Sequence, residues 1–472
     1  MKIVCLLCYV ATWAAIPHLL FLKKRPAATL AWLWAILFIP FLGPLVYSLF
    51  GTDRLKRRRL KRRTRFSAWP SHSRSPASAT DPATATAIER LSGRERQFLQ
   101  LLSRINQLPS SSAAAVRILR DAKEFYPALE QQIRQAEHHV HVEFYLWHSD
   151  ETGRRFLRSL TEAAQRGVTV RLLLDGVGSF GLHRNHLKAF RAAGGRFAWF
   201  QSLDPKRGRF MLNLRNHRKL QIVDNGVAFV GGMNIGREYE GLDPAFGHWR
   251  DVQVEASGSV VQVLQEVFAD NWFFATGEKI SEPPAVAHRA TFPMHVIVGG
   301  ADRANEPLSK SIVSLLHEAT SRVWIATGYF VPDDVLLAAL ELASSRGVDV
   351  RLLVAEKNDH RWLVTAGRSY YEELLATGVR IFEYSAGTNH AKIAVADDHW
   401  AMVGSANLDY RSMRLNFELN LLFRSPEHNA ALARILEDDF AVSQEIDPAA
   451  FARRPLRHRW AEAALRPLSP ML

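Results

Sequence analysis

Residues 216–234 read Asn-His-Arg-Lys-Leu-Gln-Ile-Val-Asp-Asn-Gly-Val-Ala-Phe-Val-Gly-Gly-Met-Asn. Two short apolar runs flank Asp224-Asn225-Gly226. Asn-Gly between β-branched runs predicts a hairpin with a two-residue turn. His217 and Lys219 lie two apart on the first strand and share a face. Asp224 stands at an odd offset from His217, so it faces away or sits in the turn. A turn at Asn225-Gly226 sets Asn234 across from His217. That patch would join an imidazole, an ammonium and a carboxamide, a set suited to a phosphate.

A lone His-x-Lys strand is usually an ordinary surface or core strand, and the chain has 18 His. The second copy changes the weighing. Residues 390–407 read His-Ala-Lys-Ile-Ala-Val-Ala-Asp-Asp-His-Trp-Ala-Met-Val-Gly-Ser-Ala-Asn. His390, Lys392, Asp397 and Asn407 repeat the spacing of His217, Lys219, Asp224 and Asn234. The repeat reaches upstream. Arg166-Gly-Val-Thr-Val-Arg-Leu-Leu-Leu matches Arg346-Gly-Val-Asp-Val-Arg-Leu-Leu-Val. Each follows a helical-period run (154–165; 335–345) and, before that, an apolar strand (140–147; 323–331). A strand–helix–strand unit that delivers a hairpin therefore occurs twice, which predicts an α/β fold. Two His-x-Lys motifs in one chain imply one composite site between two similar domains.

The duplicated H-x-K-x(4)-D with G-[GS]-x-N resembles the phospholipase D superfamily. The wider context resembles its bacterial cardiolipin synthase branch over nearly the whole chain. The carrying stretches are Asn216 to Lys219, Gly231 to Gly236, His248-Trp249-Arg250-Asp251, Tyr329 to Asp333, Gly404 to Ser412, Asn416-Phe417-Glu418 and Leu468-Ser469-Pro470. Gly328 departs from the branch, which has Pro before Tyr-Phe. The resemblance implies two phospholipase D-like α-β-α domains forming one active site, here 89–285 and 286–472, after an N-terminal transmembrane hairpin. Residues 277–288 are a plausible connection.

The N-terminal sequence supports an anchor. Residues 3–22 carry no Asp, Glu, Lys or Arg and are apolar but for Thr12 and His18, about one span long. A second run, 27–50, is broken by Pro40, Gly43 and Pro44. A cleaved signal peptide is the bland alternative, but no small-residue cleavage site is evident and a second apolar run follows directly. Residues 53–65 carry nine Lys/Arg against one Asp, and residues 1–65 hold +12 of the chain's +13. The basicity belongs to the membrane end, so an anionic lipid surface is the expected partner and nucleic acid is not. Such a cluster marks the cytoplasmic side, predicting a multi-pass inner-membrane protein of a bacterial cell whose catalytic domains face the cytoplasm. Ser, Ala, Pro and Thr enrich the rest of the 51–88 stretch, which reads as a flexible linker. The two cysteines, Cys5 and Cys8, both fall in the first apolar run and offer no disulfide framework.

Phosphodiester exchange needs a nucleophile, positive charge on the nonbridging oxygens and an acid for the leaving alkoxide. One His attacks phosphorus and the other moves the proton. Lys219, Lys392, Asn234, Asn407 and Ser405 are the candidates for the phosphate oxygens, so neither a metal nor a cofactor is expected. The symmetric motifs do not say which His attacks; the resemblance favours His217. It also names Asp251 and Glu418 as the carboxylates that orient the imidazoles. Asp224 and Asp397 complete each motif's catalytic signature by resemblance, although their parity reads as structural. Asp175-Gly176-Val177-Gly178-Ser179 reads as a plain loop rather than a phosphate cradle. Tyr145, Trp147, Tyr329 and Phe330 read singly as core and together as a lipid groove. The resemblance implies condensation of two phosphatidylglycerols to cardiolipin and glycerol through a phosphohistidine. A hydrolytic phospholipase D, or a synthase taking phosphatidylethanolamine as donor, stays open.

Overall fold

The computed structural model describes residues 82–200, 214–280, 291–303, 305–357 and 361–471, and near the N-terminus 16–17, 19–20, 26–39 and 42–47. Most of the expected span 3–22, parts of 27–50, and 51–81 lie outside the described residues. Among the described residues no helix is long and apolar enough to cross a membrane. The apolar helix Pro26–Phe38 has 13 residues, against the ~20 of a span.

Chain order gives β1 (Ser111–Ala113), β2 (Ala115–Arg120), β3 (His139–Phe144), β4 (Thr169–Leu174) and β5 (Arg196–Trp199). The hairpin β6 (Leu220–Val223) and β7 (Val227–Gly231) follows, then β8 (His248–Arg250) and β9 (Val252–Ser257). Next come β10 (Phe292–Val298), β11 (Arg322–Thr327), β12 (Phe330–Val331), β13 (Asp349–Ala355), β14 (Arg380–Tyr384) and β15 (Gly387–Asn389). The second hairpin, β16 (Ile393–Ala396) and β17 (Trp400–Gly404), precedes β18 (Leu408–Asp409), β19 (Leu419–Arg424) and β20 (Ser443–Glu445).

Two large sheets result, ordered β2-β9-β7-β6-β3-β4-β5 and β1-β10-β19-β17-β16-β11-β13-β14-β20. Strands β2 through β5 of the first match β10 through β14 of the second, position for position, so the sequence repeat is a repeat of topology. In each half a helix, Glu151–Gln165 or Asp334–Ser345, joins two parallel strands. Asp150 and Asp333 cap their first turns by accepting backbone N–H groups of Gly153 and Leu336. The repeated Arg-Gly-Val ends them. Gly167 and Gly347 take φ of +89° and +87° just past the last turn, where a side chain would be strained. Arg166 and Arg346 donate to the final carbonyls of the preceding helix, at Ile133 and Ala136 and at Leu316 and Ala319. The carboxyl ends of β3, β4, β11 and β13 and the first residues of both hairpins meet at one end, where the site forms.

The two sheets share an apolar core: Leu220, Ile222 and Val254 of the first lie in one cluster with Val296, Ile393 and Val403 of the second. Helices cover their outer faces. One boundary differs from expectation. Residues 93–113 belong with the second sheet, not with a first domain starting at 89. The helix Gly93–Asn106 buries Phe98, Leu99 and Leu102 against second-half residues, with Phe98 edge-on to Trp400 at 4.9 Å. β1 then pairs with β10 before the chain crosses to β2. The apolar stripe of that helix and the unpaired edge of β10 are the physical cause.

The hairpin register also differs by one residue. Val223 pairs with Val227 and Ala396 with Trp400, leaving three-residue loops. The first turn centres on Asp224 and Asn225, both at positive φ, and Gly226 N–H closes it on Val223 O at 3.0 Å. That is the type I′ geometry, shifted one residue from the Asn-Gly reading. Asn234 is consequently not opposite His217.

Candidate active site

His217 and His390 enter the site at the mouths of the two hairpins, each held by backbone pairing to the other half. His217 N–H donates to Phe417 O at 2.9 Å, and Phe417 N–H returns to Arg215 O at 2.8 Å. His390 N–H donates to Arg250 O at 2.8 Å, continuing the parallel pairing of β15 with β8. Each pairing delivers a carboxylate. His217 Nδ1 lies 3.0 Å from both oxygens of Glu418. His390 Nδ1 lies 2.7 Å from Asp251 Oδ2. The acids are crossed: each half's acid orients the other half's imidazole.

Both histidines, both lysines and both acids are buried. Lys219 Nζ donates to His217 O at 2.7 Å, and Lys392 Nζ donates to His390 O. Each ammonium is thereby bent back beside its own imidazole. Tyr145 stands edge-on to His217 at 5.0 Å, with Lys219 Nζ 5.5 Å from its ring centre. Trp249 and Tyr329 flank His390 at 5.4 and 6.5 Å. Behind the site, Arg218 spans the halves. It donates to Glu418 O, Gly299 O and Asn271 Oδ1 at 3.1, 3.0 and 2.8 Å.

Several expected roles need correction. Asp224 and Asp397 do not reach the site. Asp224 accepts the N–H groups of Glu137, His138 and His139, and Asp397 those of Thr320, Ser321 and Arg322. Both lie at the far end of the hairpins, tying each turn to the start of β3 or β11, which is why the motif carries an acid at that spacing. Ser405 Oγ donates to Glu418 Oε2 at 2.6 Å and accepts Leu419 N–H at 2.9 Å. Its hydroxyl is committed to the carboxylate instead of facing a phosphate. Asn234 accepts Leu146 N–H at 3.1 Å and donates to Tyr239 Oη at 2.7 Å, which commits its carboxamide as well. Asn407 differs: its buried Oδ1 has no hydrogen-bond partner. A Cβ on Gly328 would stand 3.3 Å from that oxygen and 3.4 Å from His390 Cα, so the departure from the branch pattern borders the site directly.

Of the four aromatic candidates, Tyr145 and Tyr329 face the histidines. Trp147 packs on Phe144 and Phe156 in the first-half core, and Phe330 is core of the second. Asp175 accepts Val177, Gly178 and Asn216 N–H groups, making 175–179 a buttressed loop. Tyr239 had no signal in the sequence; it joins Asn234 to the Trp249 ring, 4.7 Å away.

The two His–acid pairs differ electrostatically. Burial lowers His217 and, more strongly, His390. It also pulls Lys219 down to about 7, against Glu418. Burial pushes Asp251 up to about 7, outweighing Lys392 and the Val252 N–H. Glu418 feels the same burial, but the charge and hydrogen bond of His217, then Lys219 and the Ser405 hydroxyl, hold it below the usual carboxylate range. Where Ser405 serves Glu418, the first motif has Gly232, whose Cβ position lies 2.3 Å from Asp251 Oδ1. No hydroxyl fits there, so Asp251 lacks that stabilising donor.

The family model "Cardiolipin synthase, PLD-like domain" matches residues 129–272 and 312–440. A cardiolipin synthase of Geobacillus kaustophilus is 37% identical over 460 residues, 95% of this chain and 90% of that one. The chain belongs to the cardiolipin synthase family. Cardiolipin synthase A of Pseudomonas fluorescens is 35% identical over 94% of this chain and 92% of its own. A model for a phospholipase D-nuclease N-terminal segment matches residues 10–51. The phosphatidylserine synthase structure of Haemophilus influenzae superposes with a TM-score of 0.60 at 16% identity. It covers 80% of this chain and 100% of its own, a likeness of fold alone. Each matched PLD-like segment contains one His-x-Lys hairpin and the carboxylate that pairs with the other segment's histidine.

Proposed function

We propose that this chain is a phosphatidyltransferase that condenses two phosphatidylglycerols to cardiolipin and glycerol. The observation that carries it is the crossed arrangement: two His-x-Lys histidines, each backed by the other half's carboxylate. His217 attacks the phosphorus of the donor lipid and the terminal glycerol leaves, protonated by His390. His390 then takes the proton from a glycerol hydroxyl of the second lipid, whose oxygen displaces His217.

The unequal acids support this division of labour. An anionic Glu418 accepts from His217 Nδ1 and leaves the Nε2 lone pair for attack. Asp251, raised to about 7, keeps one more proton on its pair near neutrality. A protonated Asp251 donates to His390 Nδ1, and His390 Nε2 then carries the hydrogen that the leaving alkoxide needs. Lys219 and Lys392, with the Nδ2–H of Asn407 as a neutral donor, are the groups for the phosphate oxygens. The two catalytic units meet the membrane through the segment at 10–51 and the basic residues 53–65, with the units on the cytoplasmic side of a bacterial inner membrane.

Labelled phosphatidylglycerol supplied to the full chain in vesicles tests the reading. Cardiolipin and glycerol in equal amounts are expected, and added glycerol should drive the reaction backwards. Phosphatidic acid as the main product at every lipid density would make the chain a hydrolase. Cardiolipin formed only with phosphatidylethanolamine present would change the donor.

A further inference from the structure

The helix Leu456–Leu465 is built inside out. Its buried residue is Glu462, 3% exposed, while Leu456 and Trp460 stand 69% and 75% exposed. Arg454 donates to Glu462 Oε2 at 2.8 and 2.6 Å, and Arg368 approaches Oε1 at 3.6 Å. These pairs fix the rotation of the helix about its axis. At ~100° per residue, Leu456 and Trp460 share the outer face, with Arg457 and Arg459 on either side of them. Both arginines are exposed, as are Arg453 and His458; Arg459 meets Glu372 only at 3.9 Å. The turn Arg466–Met471 that follows is anchored by Arg466 on Glu373 and by Tyr370 Oη on Ser469. It packs on the helix Tyr410–Arg414, which begins three residues after Asn407. The neighbouring helix Arg361–Arg368 exposes Trp362 as well. An apolar pair ringed by cations therefore stands on the outer wall of the second half, at the site end of its sheet.

We propose that this face docks on the surface of an anionic phospholipid bilayer. Leu456 and Trp460 enter the headgroup layer and Arg457 and Arg459 meet lipid phosphates, the division of labour of an interfacial helix. The charge ring selects lipid: a protein partner would have to desolvate those guanidiniums, whereas a phosphate surface pairs them. The contact would be a second point of attachment, beyond the N-terminal segment, and it turns the site toward the leaflet. It does not depend on which lipid reacts.

The test uses the full chain with Cys5→Ser and Cys8→Ser, so that Trp460→Cys carries the only thiol label, a bimane. The chain is reconstituted in vesicles of equal parts phosphatidylcholine and phosphatidylglycerol containing headgroup nitroxide lipid. Leu342→Cys, 65% exposed near the opposite end of the sheet, is the control. Quenching at 460 several times that at 342, falling when phosphatidylcholine replaces phosphatidylglycerol, supports docking. Equal quenching at the two positions, or quenching indifferent to phosphatidylglycerol, overturns it. So does bimane shielding that rises with protein density, which would put a second copy on the patch. The readout needs no turnover, so failure of the proposed reaction leaves it intact. The double variant Leu456→Ser/Trp460→Ser should raise the apparent KM for vesicle lipid about tenfold with kcat unchanged.

Discussion

On the proposed division of labour the two imidazoles have different tasks, because their acids differ. His217→Ala should abolish both turnover and the covalent phosphatidyl adduct. His390→Ala should lose roughly 10²–10⁴ in rate on natural lipid. It should still form the adduct from a nitrophenyl ester, whose leaving group needs no proton. Adduct formation by His217→Ala and not by His390→Ala would reverse the roles. The pH profile offers a second check. Burial holds His217 below its ordinary value of 6.5, so the acid limb of kcat/KM should fall below pH 6.5. The Glu418 charge opposes burial by favouring the imidazolium. Glu418→Gln should therefore move the limb lower still, while cutting the rate by about 10³–10⁴, the cost of losing an orienting carboxylate. A limb displaced upward would contradict the pairing.

The hairpins show what each motif position is for. Asp397 accepts three consecutive backbone N–H groups and two hydroxyls. Asp397→Ala should destabilise the second half by about 2 kcal/mol, in the range of charge-assisted hydrogen bonds, and leave kcat nearly unchanged. Those bonds hold Asp397 below the ordinary carboxylate value of 3.8. Its contribution is thus complete above pH 3.8 and is lost as pH falls through the lower folded value. Thermal unfolding and turnover measured on one preparation decide between this role and a catalytic one. A hundredfold loss of kcat without a fall in Tm would restore the catalytic reading. Much of this level was legible in the sequence. The repeat, the parallel strand–helix–strand units and the hairpins follow from local periodicity and turn residues. The register was not legible, because the choice between turns centred at 224–225 and 225–226 rests on Asp224 binding residues 137–139, far back in the chain. Ser405 and Asn234 were not legible either: motif position and side-chain type make each a fair phosphate donor, and only the positions of Glu418 and Tyr239 show them already engaged.

At the scale of the whole molecule, the shared core and the crossed acids bind the halves into one unit. The pairing of His217 with Glu418 rather than Asp251 spans 201 positions, and no local pattern encodes it. The same holds for residues 93–113, which leave the first half to complete the second sheet. Residues 114–285 alone should therefore be inactive even if soluble, and should regain activity when mixed with the complementary fragments. Activity in that piece alone would refute the composite site. The crossing also sets a clock during synthesis. The N-terminal segment emerges from the ribosome first, and His217 and Lys219 follow long before Glu418 is made. Until the last fifth of the chain is added, His217 has neither Glu418 nor His390 beside it. A nascent chain therefore carries half a site, and lipid exchange is expected only once its synthesis is nearly complete.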